Sequence, residues 1–221
     1  MRAIVHSSQG VTLIGGGRVA RSAAAQAVAI APRLVAADGG ANRAIALGLI
    51  PEAVIGDLDS IGGEARERLG EARLFRVNEQ ETTDFEKSLL RIDAPFVLAL
   101  GFAGPRLDHT LAAWNTIARL SVPPCLIVGE KDVVFAAPPR RRLALALKAG
   151  ARVSLFPMAR VAGRSTGLRW PIAGLSFAPD GRVGTSNIAD GPVEVEFDAA
   201  GMLVILPRNC LRAAIGALLE A

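Results

Sequence analysis

Val54-Ile55-Gly56-Asp57-Leu58-Asp59-Ser60 is an apolar run that stops at two carboxylates set two residues apart. In an extended backbone alternate side chains share a face, so Asp57 and Asp59 are expected to point the same way at the C-terminal end of a strand. Open α/β sheets bind their ligands at those strand ends. Two carboxylates there suit a hard cation such as Mg²⁺, which protein sites hold through one or two carboxylates together with substrate phosphates. The same seven residues also make a turn in which Asp57, Asp59 and Ser60 cap the next helix.

The pattern on either side decides what sheet this strand belongs to. Short apolar strands are expected at 11–14, 34–37, 53–55, 73–77, 96–100 and 125–128, with alanine- and leucine-rich helices between them. Such alternation predicts a parallel sheet with helices on both faces. Past about Lys131 the texture changes to short strands at 133–136, 152–156, 183–185, 193–197 and 202–206, bounded by Gly, Pro, Asp and Asn. Helical periodicity returns only in the last dozen residues. The expected organisation is a mostly parallel, Rossmann-like α/β domain over 1–131 followed by a β-sandwich over 132–221.

Composition narrows the function classes. The 221 residues are 51% hydrophobic but contain no apolar run of membrane-spanning length. The formal charge is +4, yet the only basic run is Arg140-Arg141-Arg142 and no aromatics interleave it, so no nucleic-acid partner is expected. Cys125 and Cys210 are too few for a disulfide framework or a metal knuckle. The N-terminus lacks the pattern of a cleavable signal, and a cytoplasmic protein is expected.

Three further clusters bear on chemistry. Glycine-rich turns follow the strands at Gly15-Gly16-Gly17, Gly39-Gly40 and 101–104. Glycine lets a backbone approach phosphate closely, although none of these turns has the dinucleotide or Walker spacing. In Asn78-Glu79-Gln80-Glu81-Thr82-Thr83-Asp84-Phe85-Glu86-Lys87, Thr83 and Asp84 open a helix and Lys87 lies on the face of Asp84. That spacing serves a helix cap and an ion pair, or it brings Asp84 to the metal of Asp57 and Asp59 and Lys87 to phosphate. Arg106, Asp108 and His109 follow the third glycine turn, where a cation, a carboxylate and an imidazole can face one crevice.

Together these motifs resemble the thiamine pyrophosphokinase (thiamine diphosphokinase) family. The matching pieces are Asp38-Gly39-Gly40-Ala41-Asn42, Gly56 to Ser60, Gln80 with Thr82 to Lys87, and Arg106-Leu107-Asp108-His109, continued by Val153 to Pro157, Thr166 to Pro171 and Thr185-Ser186-Asn187. The resemblance implies transfer of the pyrophosphoryl group of ATP to the hydroxyl of thiamine, with Mg²⁺, in a homodimer whose thiamine pockets combine both subunits. It implies Asp57, Asp59 and Asp84 as metal ligands, with Lys87 beside them as a catalytic group. Asp38, Gly39, Asn42, Thr83, Arg106, Asp108 and His109 would meet ATP, and Gln80, Trp170, Ser186 and Asn187 would meet thiamine. Pro105 and Ala113 depart from the family pattern. Alternatives are a pyrophosphokinase for another hydroxymethyl heterocycle such as a pterin, or a non-catalytic nucleotide- or thiamine-binding regulator.

Overall fold

The computed structural model describes residues 2–104, 106–120 and 123–221, arranged as two compact units. One comprises Met1–Ala113 with Ile127–Gly129, the other Trp114–Leu126 with Glu130–Ala221. The chain is a mixed α/β fold.

The elements of the first part are β1 (Val5–His6), β2 (Val11–Ile14), α1 (Arg21–Ile30), β3 (Arg33–Ala37), α2 (Gly40–Ala46), β4 (Ala53–Gly56), α3 (Gly63–Leu69), β5 (Leu74–Arg76), α4 (Asp84–Leu89), β6 (Ile92–Asp93), β7 (Val97–Leu100), α5 (Leu107–Arg119) and β8 (Cys125–Val128). The strand order is β8-β7-β2-β3-β4-β5, and β7, β2, β3, β4 and β5 pair in parallel. Ile14 lies between Ala36 and Leu100 in register. Every residue of β2, β4 and β7 is buried, which is why these strands read as continuous apolar runs rather than alternating ones. Thr12 is the polar exception, and its hydroxyl donates to the Ala31 carbonyl at 2.7 Å.

The chain leaves β2 toward β3, β4 and β5 on one side and returns to place β7 on the other. That reversal is a topological switch point, beside which α/β sheets open a crevice at their carboxyl ends. A separate parallel pair, β1 with β6, is too short to have a sequence pattern.

The second part holds β9 (Asp132–Ala136), β10 (Leu143–Leu145), β11 (Arg152–Pro157), β12 (Val161–Leu168), β13 (Ser176–Phe177), β14 (Gly184–Phe197), β15 (Met202–Pro207) and α6 (Leu211–Glu220). Among the described residues its strands pair antiparallel, in the order β13-β12-β14-β11-β15-β9, with β10 also on β14. Phe135, Phe177 and Phe197 are fully buried in it.

The strands expected at 183–185 and 193–197 are one 14-residue strand. Asp190-Gly191-Pro192 looks like a turn in the sequence but is carried inside β14. The facing strand makes room with a bulge at Gly167, whose φ of +74° and closeness to the Pro192 carbonyl leave no space for a side chain.

Candidate active site

Strand β4 stops at Gly56, so strand alternation is not what brings Asp57 and Asp59 together. The residue between them does so. Leu58 is buried against Ala36, Ala41, Ile45, Val54, Ala65 and Leu69, and to reach that core its backbone takes a φ of +66°. A branched side chain pays for such a conformation only where the surroundings enforce it. With Leu58 turned inward, the flanking carboxylates are left on the crevice side. The Asp59 amide donates to Asp57 Oδ1 at 3.3 Å, and the Ser60 hydroxyl donates to Asp59 Oδ1 at 2.8 Å.

A third carboxylate comes from the end of β3. Asp38 is buried, has a φ of +40°, and packs against the end of β4 because Gly56 has no side chain; a Cβ there would come within 2.7 Å of the Asp38 Cβ. One oxygen each of Asp38, Asp57 and Asp59 lie within 4.8 Å of one another. Asp38 Oδ1 is buried without a hydrogen-bond partner. An orphaned carboxylate oxygen is costly unless something positive meets it, and an all-oxygen donor set of this size suits Mg²⁺.

Helix α4 adds a positive charge to this cluster. Thr83 caps it, its hydroxyl oxygen accepting from the Glu86 amide at 3.3 Å. The short helix is held against β4 by the Ser88 hydroxyl, which donates to the Ile55 carbonyl at 3.3 Å, and by Phe85 stacked obliquely on Phe102 at 4.5 Å. Lys87, only 2% exposed, thereby reaches Asp84 at 3.3 Å and Asp57 at 3.7 Å.

The two carboxylates respond in opposite directions. Burial pushes the Asp84 carboxyl above its ordinary value, and the neighbouring charges of Asp38 and Asp57 add to this against the pull of Lys87. Burial also opposes ionisation of Asp57, but the Asp59 amide, Lys87 and the side chains of Asp59 and Gln80 outweigh it and hold Asp57 below the ordinary range. Gln80, expected on the thiamine side, thus touches the acidic cluster directly.

The glycine turns meet over the same strand ends. The Gly17 amide donates to the Gly101 carbonyl at 3.1 Å and the Gly15 amide to the Leu100 carbonyl at 2.8 Å. Gly16 comes close to Gly39, and Gly39 to Ser60. Gly39 and Asn42 stand at the start of α2, and the Asn42 side chain bonds the backbone at Ser60 and Gly62.

The third motif is placed differently. Arg106 donates to both oxygens of Asp108, at 3.3 and 2.6 Å, and the pair and His109 are exposed at the start of α5. Arg106 above all, then the His109 amide, hold the Asp108 carboxyl down to about 2. Pro105 lies outside the described residues. Ala113 is buried in α5, and Asn115 accepts from Arg119 at 3.4 Å.

In the second unit, Trp170, Ser186 and Asn187 come together. Asn187 donates to the Trp170 carbonyl at 2.7 Å and accepts from the Trp170 amide at 3.2 Å. Ser186 has a φ of +62°, and its amide donates to Ser154 Oγ at 3.0 Å. The Trp170 indole is 56% exposed, with the Arg169 guanidinium 5.9 Å from its ring centre. It is not a core residue.

Sequence reasoning passed over Glu79. Its carboxylate accepts from the Glu81 and Thr82 amides at 2.9 and 3.0 Å and from the Thr82 hydroxyl, fixing the loop that carries Gln80. The signal was an acid two and three residues before polar loop amides, a common local pattern that says nothing of function by itself.

Parallel strands that end in close-packed glycine turns around a carboxylate cluster give the first unit the arrangement in which open α/β sheets bind ligands at their strand ends. Comparison with known proteins narrows this. Residues 24–128 match the family described as thiamin pyrophosphokinase, catalytic domain. Thiamine pyrophosphokinase 1 of Oryza sativa subsp. japonica is 28% identical over 188 residues, spanning 71% of each chain, and thiamine pyrophosphokinase 2 of the same organism is 27% identical over 208 residues, 79% of this chain and 78% of its own. Among solved structures, thiamin pyrophosphokinase from Candida albicans superposes with a TM-score of 0.78 at 18% identity, over 90% of this chain and 89% of its own, and that of yeast with 0.73 at 16%, over 98% and 90%. At such identities the structures show a shared fold. Residues 24–128 of the chain are thus similar to the catalytic domain of the thiamine pyrophosphokinases, and the chain as a whole shares their fold.

Proposed function

We propose that the chain transfers the terminal pyrophosphoryl group of ATP to the hydroxyl of thiamine, releasing AMP and thiamine diphosphate. The observation that supports this most is the carboxylate set of Asp38, Asp57 and Asp59 beside the Asp84–Lys87 pair, at strand ends within the stretch that matches the thiamin pyrophosphokinase catalytic domain. None of the named relatives favours a pterin substrate or a non-catalytic regulator.

Asp57, Asp59 and Asp84 would hold Mg²⁺, with the unpartnered oxygen of Asp38 as a further donor. Bound there, the cation would neutralise phosphate oxygens and favour in-line displacement. Phosphoryl transfer needs positioning and charge stabilisation more than covalent machinery, and the residues present provide both. Lys87 is a buried ammonium fixed by two carboxylates, so its charge is preorganised rather than mobile. The glycine turns permit close approach of phosphates, with Asp38, Gly39 and Thr83 around them. Arg106, Asp108 and His109 would meet the nucleotide. In the displacement a thiamine oxygen bonds the β-phosphorus as the bond from that phosphorus to the α–β bridging oxygen breaks; AMP leaves with that electron pair, and the hydroxyl proton passes to a base. Gln80, Trp170, Ser186 and Asn187 are assigned to thiamine, whose cationic thiazolium suits an exposed indole face.

The reading extends to a Rossmann-like catalytic domain over 1–131, a β-sandwich over 132–221 for thiamine binding and dimerisation, a homodimer, and a cytoplasmic setting that two free cysteines suit. Incubation with ATP, Mg²⁺ and thiamine is expected to yield AMP and thiamine diphosphate. A folded sample that yields neither, or that prefers a hydroxymethylpterin in competition, overturns the proposal.

A further inference from the structure

The segment that carries Asp57 and Asp59 has no regular structure of its own. Between the end of β4 at Gly56 and the start of α3 at Gly63 the backbone makes no strand or helix, and Leu58 is held at positive φ. Such a loop relaxes unless something outside it fixes both its path and its far end. Leu58 anchors the middle by burial. The far end is tied by Asn42. Its amide nitrogen donates to the Ser60 carbonyl at 2.7 Å, and its amide oxygen accepts from the Gly62 amide at 2.8 Å. One side chain on α2 therefore closes both sides of the segment directly after Asp59. Helix α2 itself starts next to Asp38, the third carboxylate, so this bridge couples two carboxylate-bearing segments that lie 18 or more residues apart in the chain.

We infer that Asn42 is a positioning residue: its amide bridges the Ser60 carbonyl and the Gly62 amide and so holds Asp57 and Asp59 in register with Asp38, rather than contacting the nucleotide. Both ends of the amide are used in forming this bridge. Partners that hold metal ligands in place affect metal affinity and turnover about 10- to 100-fold when removed. The inference rests on the reading of Asp57 and Asp59 as cation ligands, and its test separates the two.

Asn42 is exposed on α2, and alanine is the better helix former, so Asn42→Ala is expected to fold and to melt no lower than the parent by circular dichroism. Asn42→Ser keeps a polar group too short to span both partners and guards against an effect of lost polarity alone. In both variants, without metal, amide exchange at Gly62 is expected to quicken about ten-fold or more. Mn²⁺ affinity, measured by titration without substrate, is expected to fall about ten-fold or more, and kcat to fall while KM for thiamine stays constant. Parent-like exchange at Gly62, or parent-like Mn²⁺ affinity in a parent whose binding Asp57→Asn abolishes, overturns the role of Asn42. A parent that does not bind Mn²⁺ at the site of Asp57 overturns the cation reading, and the role of Asn42 with it.

Discussion

Asp57 and Asp84 lie on either side of one buried ammonium and carry opposite consequences. Asp57→Asn removes a ligand charge from a partly exposed position and leaves Lys87 its partner Asp84 at 3.3 Å. It is expected to lower AMP release at least about 100-fold. The far-ultraviolet dichroism spectrum is expected to match the parent, and wild-type turnover would refute the assignment. Asp84 has its carboxyl raised in the folded state, so the folded protein holds that proton more tightly than the unfolded chain does. Stability from this group therefore falls as pH rises from the unfolded value through the raised folded one. Asp57 is held low, and its contribution is present above the unfolded value and lost as pH falls through the folded one. Urea melts between about pH 4 and pH 7 are thus expected to show Asp84→Asn gaining stability relative to the parent as pH rises, while turnover collapses. A variant that loses stability with rising pH would contradict this.

At the scale of elements, α4 is the piece most exposed to a single change. It has six residues, too few to persist without a cap and tertiary contacts. Thr83→Ala is expected to cost about 1 kcal/mol of stability, and Thr83→Ser to restore it. Because Lys87 is placed by this helix, the same Ala variant is expected to lose turnover. Denaturant melts and AMP release measured on both variants check the pairing of the two effects. Elements such as β2, β4 and β7 were legible in the sequence because burial on both faces leaves an uninterrupted apolar run. Strand β12, Val161–Leu168, was not: two glycines and a polar Arg-Ser-Thr stretch read as loop, and only pairing with β14 makes it a strand. Spacing put Lys87 on the face of Asp84, and the family resemblance joined both to Asp57 and Asp59. The way they meet was not legible, since it depends on Leu58 turning into a core assembled from β3, α2, β4 and α3.

For the molecule as a whole, four carboxylates gathered around the single ammonium of Lys87 leave stability to be gained on binding a cation. Mg²⁺ with an unreactive ATP analogue at about 100 times the dissociation constant is expected to add about 2.7 kcal/mol. By hydrogen exchange the added protection should fall on residues 38–42, 56–62 and 78–87 of the first unit. Protection confined to other segments would refute the location of the site. Among the described residues no helix is long and apolar enough to cross a membrane.

Strand β14 has a consequence for how the polypeptide is made. Residues 184–188 take β11 as neighbour, 193–195 take β10, and 189–197 take β12, so three earlier strands share one later partner. While a ribosome is still extending the chain, β10 and β12 emerge before the strand that completes them, with those backbone groups unmatched for the seconds that about fifty further residues for β10 and about twenty to thirty-five for β12 require, at about 5–20 residues per second. A nascent chain halted before Gly184 thus presents the edges of β10 and β12 that await β14 raw to its surroundings, and one halted beyond Phe197 has those edges paired.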